Sequence, residues 1–60
     1  MVFTELKVGD TVILDSGNLT VTSEPEFDEG LQSYFVTSLF EDGSKTMFFG
    51  LEDTIVELYQ

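Results

Sequence analysis

The amino-acid sequence predicts a single all-β domain. None of its 60 residues is alanine, and the apolar positions are mostly Val, Ile, Leu and Phe interspersed with Thr. That composition favours pleated sheet over helix. Turn-forming residues divide the chain at short, regular intervals, as is typical of a small barrel or sandwich. Since no repeat, linker or low-complexity segment interrupts it, residues 1–60 form one predicted domain.

The first two predicted strands form a hairpin. Residues 11–15 and residues 19–23 each alternate between two faces. Between them, Asp15-Ser16-Gly17-Asn18 predicts a turn, because Gly17 and Asn18 both tolerate positive φ. The apolar pairs expected to share a face are Val12 with Leu14 and Leu19 with Val21.

The third and fourth predicted strands, residues 33–40 and residues 45–49, flank the Asp42-Gly43 pair, a strong hairpin signal. The third has apolar residues on both faces, which leaves two interpretations. In one, a curved barrel bends the strand so that each half buries a different face. In the other, one set faces inward and the opposite face is left near the surface; the inward set would then be Phe35, Leu39, Met47 and Phe49.

The ends of the chain complete the predicted sheet. Residues 50–53 are too few for an α-helix and suit a single 3₁₀ turn with Leu51 tucked under it. Residues 54–59 alternate and predict a fifth strand. Residues 1–6 are expected to add a short edge strand or to pack as a tail.

The start of the first strand resembles a known fold. The run Leu6-Lys7-Val8-Gly9-Asp10-Thr11-Val12-Ile13-Leu14 is similar to the first strand of many SH3-like barrels, including KOW-type and Tudor-like modules. The resemblance implies a small five-stranded SH3-like barrel with a single 3₁₀ turn before the last strand. The chain differs from KOW-type modules in having almost no basic residues, so only the fold is inferred from the resemblance.

The charge balance limits the classes of partner. Twelve Asp and Glu residues oppose only Lys7 and Lys45, giving a formal net charge of −10. Nucleic acids and anionic membranes are bound through clustered basic residues, so neither is an expected partner. No apolar run approaches the roughly 18–20 residues of a membrane helix, and the first ten residues do not look like a secretory signal. We expect a cytoplasmic protein, or a virion-associated one if it is viral.

Enzymatic catalysis is not expected from these residues. The chain has no His and no Cys, which removes the usual general base, the usual nucleophile pairs and the thiolate or imidazole metal ligands. Paired carboxylates need a cleft that shifts one pKa, which a barrel of 60 residues rarely contains. We predict no enzyme activity and no cofactor.

Residues 24–32 have no periodicity and predict a long loop with four carboxylates around Pro25. The acidic residues alternate at first as in an EF-hand, but Glu29 occupies the glycine position and Phe35 the position of the final Glu, so an EF-hand is rejected. Phe27 would fold back as a plug over the open end of the barrel or form the apolar tip of an acidic contact surface. The acidic loop residues are Glu24, Glu26, Asp28 and Glu29.

A non-catalytic interaction or assembly module, of bacterial or viral origin, is the predicted function, with a protein partner or self-association. It is motivated by more aromatic surface than one small core can absorb. Two alternatives remain: an acidic nucleic-acid mimic that inhibits a basic DNA- or RNA-binding protein, and a weak divalent-cation-binding domain. The predicted contact residues are Phe27, Tyr34, Phe40, Phe48 and Tyr59.

Overall fold

Five antiparallel strands form one sheet in the computed structural model, which describes residues 1–59. The prediction of an all-β chain is therefore confirmed. The sheet is not closed into a barrel, and the described part of the chain has one 3₁₀ helix, at Phe3–Glu5. The strands are β1 (Thr11–Leu14), β2 (Gly17–Val21), β3 (Glu26–Asp28), β4 (Ser33–Leu39) and β5 (Lys45–Gly50).

The predicted first hairpin is present, with a tighter turn than expected. β1 and β2 pair from Thr11 opposite Thr20 to Leu14 opposite Gly17, so the connection is only two residues long. Gly17 has φ 128°, a backbone conformation that favours glycine. A Cβ at this position would also lie 2.8 Å from Oε2 of Glu41, in the turn of the other hairpin.

β4 is the centre of the sheet. One edge pairs with β5 from Tyr34 to Leu39, and β2 and β3 share the other edge, one at each end of β4. In the gap between β2 and β3, the Thr22 N–H donates to the Thr37 carbonyl, and the Thr37 N–H donates to the Ser23 hydroxyl at 2.9 Å. Pro25, which has no N–H to donate, lies in the same gap.

β3 corrects the sequence interpretation, which treated residues 24–32 as a loop without regular structure. Pairing resumes directly after Pro25, where Glu26 lies opposite Phe35 and Asp28 opposite Ser33. The short run has only one apolar side chain and so carries no alternation of its own. The open edge of β4 supplies the pairing that the local sequence does not predict.

The predicted fifth strand over residues 54–59 is not formed. This segment instead makes two isolated bridges, Ile55 with Val2 and Leu58 with Val12, each flanked by backbone hydrogen bonds of 2.7 to 2.9 Å. Because the segment changes partner between the two bridges, no continuous ladder forms.

The turn predicted at residues 50–53 is present as a single hydrogen-bonded turn and is not a 3₁₀ helix. There the Leu51 N–H donates to the Thr54 hydroxyl at 2.8 Å, the Thr54 N–H donates to the Leu51 carbonyl, and residues 52 and 53 form an ordinary turn. The Leu51 side chain is 53% exposed rather than tucked under the turn.

The core lies between the sheet and the chain ends. Its buried side chains are Phe3, Leu6, Val12, Val21, Val36 and Val56, and Leu14, Tyr34, Phe48 and Leu58 pack against them. Val36 and Ser38 face inward from β4, so its other face is directed outward. This is the reverse of the orientation in which Phe35, Leu39, Met47 and Phe49 form the inward set.

Candidate functional site

The structure brings together only two of the five predicted contact residues. Phe27 and Tyr34 are cross-strand partners on β3 and β4, and their ring centroids lie 5.1 Å apart in an edge-on arrangement. Phe48 is directed inward, with its ring centroid 5.3 Å from that of Phe3. Phe40 and Tyr59 are exposed, one directly after β4 and one near the end of the chain.

Phe27 and Tyr34 form one wall of an open cleft of 390 Å³, which we name the aromatic cleft. Tyr34 also lies opposite Gly50 in the pairing of β4 with β5, so the turn that follows β5 begins beside it. That turn supplies the second wall. The residues lining the aromatic cleft are Phe27, Gln32, Tyr34, Leu51, Glu52 and Asp53.

The loop between β3 and β4 positions Gln32 at this cleft. Gln32 has φ 53°, in the left-handed region, and its side-chain amide donates to the Glu29 carbonyl at 2.6 Å. The Leu31 N–H donates to Oδ1 of Asp28 at 3.1 Å. These two local hydrogen bonds define a tight turn at residues 29–32, within the segment predicted as a long loop.

Phe27 lies on a strand, whereas both roles considered for it assumed a loop. Its side chain is 49% exposed and is directed to the same side of the sheet as Tyr34. Glu24, Glu26 and Glu29 are exposed, and Asp28 is half-buried. Within residues 1–59, no group of three acidic side chains lies close enough to hold a metal ion, so the described geometry adds no support to the divalent-cation alternative.

A second feature is the outward side of the β4–β5 hairpin, which we name the hairpin face. On it Phe35 pairs with Phe49, Thr37 with Met47 and Leu39 with Lys45. The ring centroids of the two phenylalanines lie 6.4 Å apart. Met47 and Phe49 are 47% and 45% exposed. An apolar strip therefore faces solvent on two adjacent strands, with Thr37 between the half-buried Phe35 and Leu39 on β4.

The sequence contains a signal for the hairpin face that the inward assignment of Met47 and Phe49 overlooked. Side chains two residues apart share a face of a strand, so Lys45 lies on the same side as both. Lysine is almost never fully buried unless it is paired. The face with Lys45 was therefore the better candidate for the outward one. No comparable signal marks Leu51, Glu52 and Asp53, because only the fold brings them to Tyr34.

The carboxyl group of Asp42 has a lowered pKa at the tip of the β4–β5 hairpin. Oδ1 of Asp42 accepts hydrogen bonds from the Ser44 hydroxyl at 2.6 Å and from the Ser44 N–H at 2.9 Å. These bonds favour the ionised carboxylate and hold the pKa of Asp42 below its ordinary value of 3.8. Asp42 lines neither the aromatic cleft nor the hairpin face, so we assign these two hydrogen bonds to stabilising the turn.

The fold and these surfaces define a small antiparallel β domain with an aromatic cleft and an exposed apolar face. Comparison of the chain with protein families, curated proteins and solved structures finds no match among them. Over residues 1–59, no helix has the length and apolar character needed to cross a membrane.

Proposed function

We propose that the protein is a non-catalytic assembly module that self-associates through the hairpin face. The observation that carries this proposal is the apolar strip formed by Phe35, Leu39, Met47 and Phe49 on adjacent strands. Soluble monomers rarely expose a large contiguous apolar patch, and such patches commonly mark contact sites. Sheets with apolar faces bury them by packing against another sheet at about 10 Å.

A second copy of the chain is the occupant that the charge distribution favours. Among the outward residues of β4 and β5 the only charged side chain is that of Lys45, and one exposed carboxylate, Glu26 of β3, borders them opposite Phe35. The chain as a whole has a net charge of −10, so most approaches of one copy to another place like charges together. The apolar side chains of the hairpin face carry no charge, so two copies can meet there with Glu26 left at the edge of the contact.

The proposal is tested by sedimentation equilibrium at several protein concentrations. We expect the parent chain to form dimers, and Phe49→Ser to remain monomeric because it removes an exposed ring without opening the core. Val8→Ser is the matched control, since Val8 is 62% exposed in the turn before β1 and lies outside the hairpin face. A parent chain that stays monomeric at every concentration would reject the proposal, as would equal dimer formation by Phe49→Ser.

Added salt gives an independent measurement of the same contact. An apolar interface opposed by net negative charge strengthens when salt screens the repulsion. The dimer dissociation constant is therefore expected to fall between low and physiological ionic strength. A dissociation constant that rises with salt would show that attraction between opposite charges, rather than apolar burial, forms the dimer.

We also propose that the strands follow an SH3-like arrangement. Support comes from the last segment of the chain, because the Ile13 N–H donates to the Glu57 carbonyl and the Tyr59 N–H donates to the Thr11 carbonyl. β1 thus carries this segment on the edge opposite β2. The spatial order is residues 57–59, β1, β2, β4 and β5, with the turn at residues 51–53 leading back across the sheet.

A further inference from the structure

We propose that the aromatic cleft binds a cationic side chain, lysine or arginine, from a basic segment of a partner protein. The cleft lies on the side of the sheet to which Phe27 and Tyr34 are directed, whereas the hairpin face is formed by the alternate residues of β4. The inference is therefore independent of the proposed self-association, and each can fail alone.

The size and walls of the cleft suit one long side chain. Its volume of 390 Å³ is near the lower end of the range of about 300–1,000 Å³ that is typical of ligand pockets. Phe27 and Leu51 are both about half exposed and offer apolar surface on opposite walls. The methylene stem of lysine or arginine packs on such surface while its charged end stays near water.

The aromatic pair adds a specific attraction for a cation. The rings of Phe27 and Tyr34 meet edge-on at 67° and are not stacked face to face, and both residues line the cleft. The negative face of an aromatic ring attracts an ammonium or guanidinium group within about 6 Å. This attraction distinguishes a cation from a neutral side chain of the same length.

The second wall supplies the complementary charge. Glu52 and Asp53 line the cleft and are exposed, so they can accept charge-assisted hydrogen bonds. Neither lysine of this chain lines the cleft: Lys45 begins β5, at the opposite end from Gly50, and Lys7 lines a separate groove with Glu24 and Pro25. The two carboxylates are therefore available to a cation from outside the chain.

Charge also identifies the occupant as a basic segment rather than a second copy. A second copy would bring a net charge of −10 together with its two lysines. A second copy is therefore repelled. A basic segment is attracted, because the net negative field of the whole chain accelerates its approach. Binding at the aromatic cleft is expected to weaken with added salt, whereas association through the hairpin face is expected to strengthen.

The test is an NMR titration of the ¹⁵N-labelled chain with a capped peptide of alternating arginine and glycine. We expect saturable amide shifts confined to the walls of the cleft. A matched peptide with citrulline in place of arginine keeps the shape and removes the charge, and spermidine supplies charge without a peptide. The amides to follow are those of Phe27, Gln32, Tyr34, Leu51, Glu52 and Asp53.

Two double variants separate local contact from net charge. The variant Glu52→Gln with Asp53→Asn is expected to weaken arginine-peptide binding about tenfold or more, since it removes both charge-assisted acceptors. The variant Asp15→Asn with Glu57→Gln removes the same charge at exposed positions that do not line the cleft, and is expected to weaken binding far less. Phe27→Leu keeps apolar bulk and is expected to weaken binding by removing the ring.

Three outcomes would overturn the proposal. The first is equal weakening by the two double variants, which would indicate attraction to net charge alone. The second is equal binding of the citrulline peptide. The third is spermidine binding at the same amides as tightly as the peptide, which would make the ligand a small polyamine. The monomeric Phe49→Ser variant is expected to bind the arginine peptide as the parent does, so loss of self-association does not alter this result.

Discussion

The ring of Phe3 lies directly against the backbone of Gly50, so that a Cβ on Gly50 would lie 2.5 Å from Cδ2 of the ring. Phe3 is fully buried and belongs to the 3₁₀ helix near the start of the chain, whereas Gly50 ends β5. The contact closes one end of the core. Gly50 does not have a positive φ, so glycine is needed here for space and not for its backbone conformation.

Gly50→Ala is therefore expected to destabilise the fold by overpacking. Neither the backbone of β5 nor a fully buried ring moves easily, and such overpacking costs about 1–3 kcal/mol in the free energy of unfolding. Urea unfolding of the two chains measures the loss. In a Phe3→Leu background the same substitution is expected to cost less, because the ring is absent. Equal losses in the two backgrounds would contradict the contact.

Ser23→Ala is expected to loosen the middle of the β4 edge. The Ser23 hydroxyl accepts the Thr37 N–H at 2.9 Å, where β2 has ended and β3 has not begun. Removing the acceptor leaves the Thr37 N–H bonded only to water and lowers the free energy of unfolding by about 0.5–1.5 kcal/mol. Faster amide hydrogen exchange at Thr37 measures the effect.

Ser23→Thr provides the control for that prediction, because it keeps a hydroxyl at the same position. Its exchange rate at Thr37 is expected to stay near the parent value. An unchanged rate in Ser23→Ala would show that the side-chain hydrogen bond does not protect the strand.

The stability of the hairpin tip is expected to decrease in acid. The pKa of Asp42 is lower in the folded chain than its ordinary value of 3.8, so the bonds from Ser44 stabilise the fold above pH 3.8. That contribution is lost as the pH falls below 3.8 and through the folded pKa. An NMR titration of the Asp42 carboxyl should give a midpoint below 3.8.

Ser44→Ala removes the largest cause of this shift, the hydroxyl bond at 2.6 Å, and keeps the backbone bond. The midpoint of Asp42 is expected to rise towards 3.8. A midpoint that is the same in the parent and in Ser44→Ala would show that the hydroxyl does not stabilise the charge.

The strands that sequence reasoning located are those with their own alternation and turn signals. β1, β2, β4 and β5 were found because alternating residues lie beside Gly17 and Gly43, both of which have positive φ. β3 was missed because Glu26-Phe27-Asp28 pairs only where β4 offers an open edge. Pairing between distant segments cannot be predicted from the local sequence.

Residues 54–59 show the opposite error, and the first residues show another omission. Residues 54–59 alternate well, yet the pairing available to them is divided between Val2 and Val12. Phe3, among the largest fully buried side chains, lies in a segment too short to show periodicity. Its spacing of three residues from buried Leu6 was the one available indication.

The candidate sites were less predictable than the strands. Phe27 and Tyr34 were singled out, but their partners in the cleft come from a turn that follows β5. The hairpin face depends on which side of β4 is buried. Val36 and Ser38 decide this through packing against β1, β2 and the chain ends, which no single strand contains.

The pairing of Val2 with Ile55 also affects when the protein can fold. Phe3 is enclosed only when residues 54–56 are present, because the Phe3 N–H bonds to the Thr54 carbonyl and the Val56 N–H bonds to the Met1 carbonyl. A chain that ends at β5 lacks the segment that covers the first residues. The core is therefore completed only after residues 54–56 are available, and closing it requires contact between segments far apart in the sequence, which is a slow step in folding.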